Sequence, residues 1–128
     1  MKERDLYRFL PALNGAAVWE LKLSKTDSLP FAALKDHQVA GLLQSKTPAG
    51  VMYKFPDVGI QQPPFDGFWI RGAEYAWVIV LYYVPRKKKE FLYIDIDDFL
   101  IEKARSVRKS LTYQRASEIC RYEKTAQD

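Results

Sequence analysis

The run AWVIVLYYV, Ala76 to Val84, constrains the fold more than any other stretch of the chain. It is continuously apolar, rich in β-branched and aromatic residues, and far too short to span a membrane. Such a run reads as a strand buried on both faces, at the centre of a sheet. Arg86 to Lys89 makes a charged turn after it, and EFLYIDI is its antiparallel partner. DDFLIEKARSV then carries Phe99, Leu100, Lys103 and Val107 in helical register. SLTYQRASEICRYEK reads as a last helix, with Thr112 as N-cap and Tyr113, Ala116, Ile119 and Cys120 on one face.

Ahead of the central run, DLYRFLPAL and AAVWELKLS read as two strands joined through Asn14-Gly15, a pair that supplies positive φ. Pro11 cannot donate to a ladder, so the connection begins before Asn14, and two registers stay open. One sets Glu20 opposite Phe9, the other opposite Leu6, next to Asp5. In the polar loop SKTDSLPF, Ser28 and Pro30 are helix-start signals. FAALKDHQVAGLLQS follows with Leu34, Val39, Leu42 and Leu43 at helical spacing, ended by Thr47 to Gly50. GVMYKF is the next strand, and PDVGIQQPPFDGFWIRGAEY is a long loop with short extended pieces. The expected order is β-β-α-β-β-β-α-α, a single α/β domain over residues 1–128 with a mixed sheet.

Composition narrows the class. With 128 residues, 48% apolar and 14% aromatic, the chain is globular rather than disordered and makes one domain. A single cysteine, Cys120, excludes an internal disulfide and a cysteine-rich zinc site, and fits a reducing compartment. His37 is the sole histidine, so no His-rich metal cluster forms. MKERDLYRF has no apolar signal region, which makes a cytoplasmic protein the expectation. The net charge of +4 is unevenly spread, over Arg86 to Lys89 and over Lys103, Arg105, Arg108, Lys109, Arg115 and Arg121. Basic clusters of this kind suit a polyanion; the alternative is a solvated hairpin tip and ordinary helix surfaces.

One strand carries a conflict. In VWELKLSK, Val18 to Lys25, the apolar residues belong to a packed sheet, yet Glu20 and Lys22 point together to one face. Charges leave water at a cost unless each has a partner. The plain alternative is an edge strand with a solvated face. Asp5 near the start of one strand, followed by Glu20-x-Lys22 in the next, resembles the motif of the PD-(D/E)xK nucleases. VWELKLSKTDSLPFAALKDHQVAGL further resembles the segment of RecU-type Holliday junction resolvases that runs E-x-K, a lysine-rich loop, S-x-P, then a helix bearing H-Q. PPFDGF, the basic hairpin, YIDI and RKSLTYQRA are similar to small phage and bacterial resolvase-like endonucleases. The likeness covers Asp5 to Cys120 and is most specific from Glu20 to Gln38.

The resemblance implies a restriction-endonuclease-like fold, a mixed sheet flanked by helices. It also implies a metal-dependent endonuclease that cuts four-way DNA junctions as a homodimer. Asp5, Glu20 and the Leu21 carbonyl would hold Mg²⁺, with Mn²⁺ substituting, and Lys22 would orient or deprotonate the attacking water. Gln38 would complete the active site. Lys25, Thr26, Ser28, Lys35, His37 and the hairpin residues Arg86, Lys87, Lys88 and Lys89 would contact DNA. The family carries a glutamate-bearing helix ahead of its first strand. Only four residues precede Asp5, so that helix is missing here or supplied by another element. Two readings compete with a resolvase: a nuclease of this fold acting on other DNA, and a DNA-binding module without catalysis.

Several residues have structural readings beside the functional ones. His37 is a base, a phosphate contact or surface; Lys25 and Lys35 are phosphate contacts or solvated lysines. Thr26 and Ser28 touch DNA or cap the helix. Asp66 is a turn acid, and Trp69 and Trp77 are core. Asp95, Asp97 and Asp98 mark a strand end and a helix N-terminus, where acids complement the dipole.

Overall fold

The computed structural model describes residues 17–54 and 67–125. The first expected strand with Asp5, and Asp66, lie outside the described residues. Within them the chain is mixed α/β, a mixed sheet with helices packed against it.

The apolar run forms β5 (Tyr75–Tyr82), and Ala76 to Leu81 are at most 2% exposed. It sits between β1 (Ala17–Ser24), parallel to it, and β6 (Glu90–Asp95), antiparallel. The central position follows from the absence of any charged side chain along it. Because β1 and β5 are parallel, the chain between them must cross over. That crossover contains β2 (Ser28–Pro30), a 3-10 turn (Phe31–Ala33), α1 (Asp36–Ser45), and the antiparallel ribbon of β3 (Val51–Lys54) with β4 (Gly67–Ile70). After β6 come α2 (Ile96–Arg105), β7 (Ser110–Thr112), α3 (Tyr113–Ile119) and β8 (Tyr122–Thr125). Among the described residues the main sheet runs β1-β5-β6-β8.

Side-chain alternation splits the core in two. Ala76, Val78, Val80, Leu92 and Ile94 pack with Leu42 of α1, Phe99 of α2 and Ala116 of α3. Leu21, Trp77, Ile79, Leu81, Phe91 and Tyr93 pack together on the other face. Burying each large aliphatic side chain stabilises by about 1.5–3 kcal/mol. A charge placed among them therefore needs a local partner.

Three expectations are corrected. Ser28 and Pro30 do not start the helix. Leu29 is buried and pairs with Leu111, which draws Ser28–Pro30 into a short ribbon with β7. The helix starts later, at Asp36, with Lys35 as N-cap, and Leu34 is buried outside it. The last helix is only Tyr113–Ile119, although Thr112 is its N-cap as expected and accepts from the Arg115 N–H at 3.2 Å. Ser110 and Leu111 belong to β7, and Tyr122–Thr125 return to the sheet as β8. The open edge of β6 explains this return, since its backbone groups need partners. Arg121 N donates to Tyr93 O at 2.9 Å, and Tyr122 packs edge-on against Trp77 at 5.6 Å. Gly67–Ile70, inside the expected long loop, is one of its extended pieces. No helix among the described residues is long and apolar enough to cross a membrane.

Candidate active site

Glu20 and Lys22 lie opposite Val78 and Val80, on the sheet face that α1 covers. Leu21, between them, is fully buried on the other face. Lys22 Nζ stands 3.5 Å from Glu20 Oε1, and their side chains are 14% and 27% exposed respectively. That partial burial separates them from a solvated strand face.

Glu20 has a second partner. Gln38 Nε2 donates to Glu20 Oε1 at 3.0 Å, while Gln38 Oε1 accepts from the Lys35 N–H at 2.9 Å. The second bond is half of a capping box, satisfying a backbone donor that helix geometry leaves without a partner. Together the two bonds set which end of the amide faces Glu20. The carboxylate also lies toward the N-terminal, partially positive end of α1. Three residues expected to act together, Glu20, Lys22 and Gln38, are thus brought into one hydrogen-bonded and ion-paired group.

The remaining expected residues lie on the helix start and on two turns. Lys35 caps α1 and its side chain is exposed, as is that of His37 in the first turn. Lys25 is exposed in the turn after β1. Thr26 and Ser28 do not cap the helix, which begins eight residues beyond Ser28. The Thr26 hydroxyl accepts from the Ser28 N–H at 3.2 Å, and the Ser24 hydroxyl donates to Ser28 O at 2.7 Å, so these hydroxyls shape the turn. Arg86, with φ of 66°, reverses the β5–β6 hairpin. Lys87 folds back over the Tyr113 ring, 4.8 Å from its centre, whereas Lys88 and Lys89 remain exposed beside it. Lys25 and Lys89, from separate turns, border the same cleft. Of the expected metal ligands, Glu20 and Leu21 are described and Asp5 lies outside the described residues.

At the far end of α1 is a cluster that sequence reasoning missed. Lys46 Nζ contacts both oxygens of Asp95 at 3.2 and 3.3 Å and Asp97 Oδ2 at 2.7 Å. Asp95 is buried, and its side chain also accepts from the Asp97 N–H at 2.9 Å, capping α2. Burial acts to lower the Lys46 pKa, but the bonds to Asp97 and Asp95 outweigh it and hold the ammonium above its ordinary value. The acids were legible as helix-start residues; their lysine was not. Trp77 is core as expected, at 1% exposure, whereas Trp69 is exposed on β4.

Comparison with protein-family models, with curated proteins and with solved structures found no match to this chain.

Proposed function

We propose that this chain is a metal-dependent endonuclease of the PD-(D/E)xK kind that hydrolyses phosphodiesters in branched DNA, acting as a homodimer. The observation that carries the reading is the Gln38–Glu20–Lys22 group. Glutamate and lysine on a strand, and glutamine on a separate helix, converge although nothing in core packing requires those residue types. The Glu20 carboxylate and the Leu21 carbonyl are adjacent oxygen donors, the chemistry a hard divalent cation takes, and Asp5 would be the further acid. When bound, Mg²⁺ would stabilise the charge that develops on the scissile phosphate.

The chain's own residues supply the rest. Gln38 holds the Glu20 carboxylate in place. The Lys22 ammonium, beside it, orients a water toward phosphorus and counters negative charge as the phosphorus–oxygen bond to the leaving sugar breaks. Exposed Lys25, Lys35, Arg86, Lys88 and Lys89 attract the phosphate backbone in a salt-dependent manner. Paired nicks across a junction need two sites, hence the dimer.

The test is cleavage of a labelled four-way junction and a matched duplex, with Mg²⁺ or EDTA, by wild type and Lys22→Ala. Paired nicks that need metal, favour the junction and fall by about 10²–10⁴-fold in the variant are expected. Equal cutting by the variant would overturn the reading. The Glu20–Lys22 ion pair is also self-satisfying without metal, which favours a second reading, a DNA-binding module without catalysis. Tight junction binding with no cutting at any metal concentration would select it.

A further inference from the structure

At the carboxyl ends of the parallel strands β1 and β5 lies a cleft of about 360 Å³. Its floor is apolar, with Leu23 and Leu81, and Tyr83 forms a wall. Lys25, from the turn after β1, and Lys89, from the β5–β6 hairpin, border it. The volume is in the range of small-ligand sites, and the carboxyl ends of strands in α/β sheets are where ligands commonly bind. Tyr83 is 58% exposed, so the core makes little use of its ring.

The combination of features selects the ligand. A simple anion would use the lysines and leave the apolar floor and the ring idle. A neutral apolar ligand would use the floor and leave two ammonium groups unpaired. A nucleotide uses both, stacking its base on tyrosine and presenting phosphate to lysine. Position agrees as well. Strand alternation puts Leu23 and Leu81 on the face opposite Glu20 and Lys22, and Lys25 lies three residues past Lys22, about 10 Å along the strand. A DNA strand passing over the end of the sheet from Lys22 would reach the cleft with a neighbouring nucleotide.

We propose that this cleft receives one unstacked base of the DNA strand, with its ring on Tyr83 and its flanking phosphates at Lys25 and Lys89. The proposal rests on the nuclease reading and assigns the chain a base-holding pocket separate from the cutting group.

The test compares two single-stranded dodecamers of equal charge, one of thymidine and one wholly abasic, binding the full chain at low salt with EDTA present. Wild type is expected to bind the base-bearing strand about tenfold more tightly. Tyr83→Ala should erase that preference while leaving affinity for the abasic strand unchanged, and Tyr83→Phe, which keeps the ring, should retain it. Lys89→Ala should weaken both strands alike. Equal wild-type affinities, or a preference that survives Tyr83→Ala, would overturn the pocket. Junction cleavage measured in parallel would then show that the nuclease reading stands without it. Failure to bind either strand would likewise overturn the pocket, and junction cleavage alone would decide the nuclease reading.

Discussion

Gln38 ties strand β1 to the first turn of α1, donating to Glu20 Oε1 at 3.0 Å with one end of its amide and accepting from the Lys35 N–H at 2.9 Å with the other. One side chain thus serves the helix start and the candidate site together. Damage to either should appear in both stability and activity.

Gln38→Ala removes both bonds. Stability is expected to fall by about 1 kcal/mol, read as a lower denaturant midpoint with unchanged slope. Cutting should fall by about 10–100-fold, the range for losing a group that orients a metal ligand. A variant with wild-type cleavage and lowered stability would reduce Gln38 to a helix cap.

Glu20→Ala separates binding from chemistry. If the group faces DNA as proposed, removing its carboxylate should leave junction affinity in EDTA unchanged or somewhat raised, by fluorescence anisotropy, while metal-dependent nicks disappear. Loss of affinity in EDTA would mean that Glu20 serves the fold rather than the reaction.

At the opposite end of α1, Asp95 has two tasks, capping α2 and pairing with Lys46. Asn retains capping ability and loses the charge, so Asp95→Asn is expected to cost about 1 kcal/mol. Asp95→Ala loses both and leaves a partly buried ammonium with Asp97 alone, about 2–3 kcal/mol. The ranking wild type, Asn, Ala should emerge from urea unfolding. Equal costs would assign the whole effect to the ion pair.

Burial, with smaller contributions from Glu123, pushes the Cys120 thiol from 9 up to about 11. A thiol whose folded pKa is raised contributes stability that is present below pH ~9 and is lost as pH climbs toward 11. Alkylation of the native protein should accordingly show its midpoint near pH 11, and that of the unfolded chain near 9. A native midpoint near 9 would mean that Cys120 is open to solvent.

The parts legible in the sequence share a physical reason. β5 was legible because a continuous apolar run has few other places to go, and β6 because a charged turn returns the chain at once. Glu20 and Lys22 stood out by conflict, since charged groups on a packed strand demand partners, whereas Gln38 was singled out only through the resemblance of its segment to a nuclease motif. Short ribbons were not legible. Leu29 and Leu111 attract each other across the chain, and neither Ser28–Pro30 nor Ser110–Thr112 has a period of its own. β8 is exposed along its length, and it is strand only because β6 offers an open edge. Lys46 and Asp95 lie 49 residues apart, a separation no local pattern can report.

The parallel pairing of β1 with β5 also sets an order of assembly. The β5–β6 hairpin closes across a few residues, but Glu20 meets Val78 only after α1 and the β3–β4 ribbon have been enclosed in the loop. Loop-closure entropy therefore favours the hairpin first and β1 later. Pulse-labelled amide exchange during refolding should protect β6 before β1. The strand bearing Glu20 and Lys22 joins late, so a half-folded molecule has not yet assembled the Gln38–Glu20–Lys22 group, and it meets its surroundings with the bare edge of its most apolar strand.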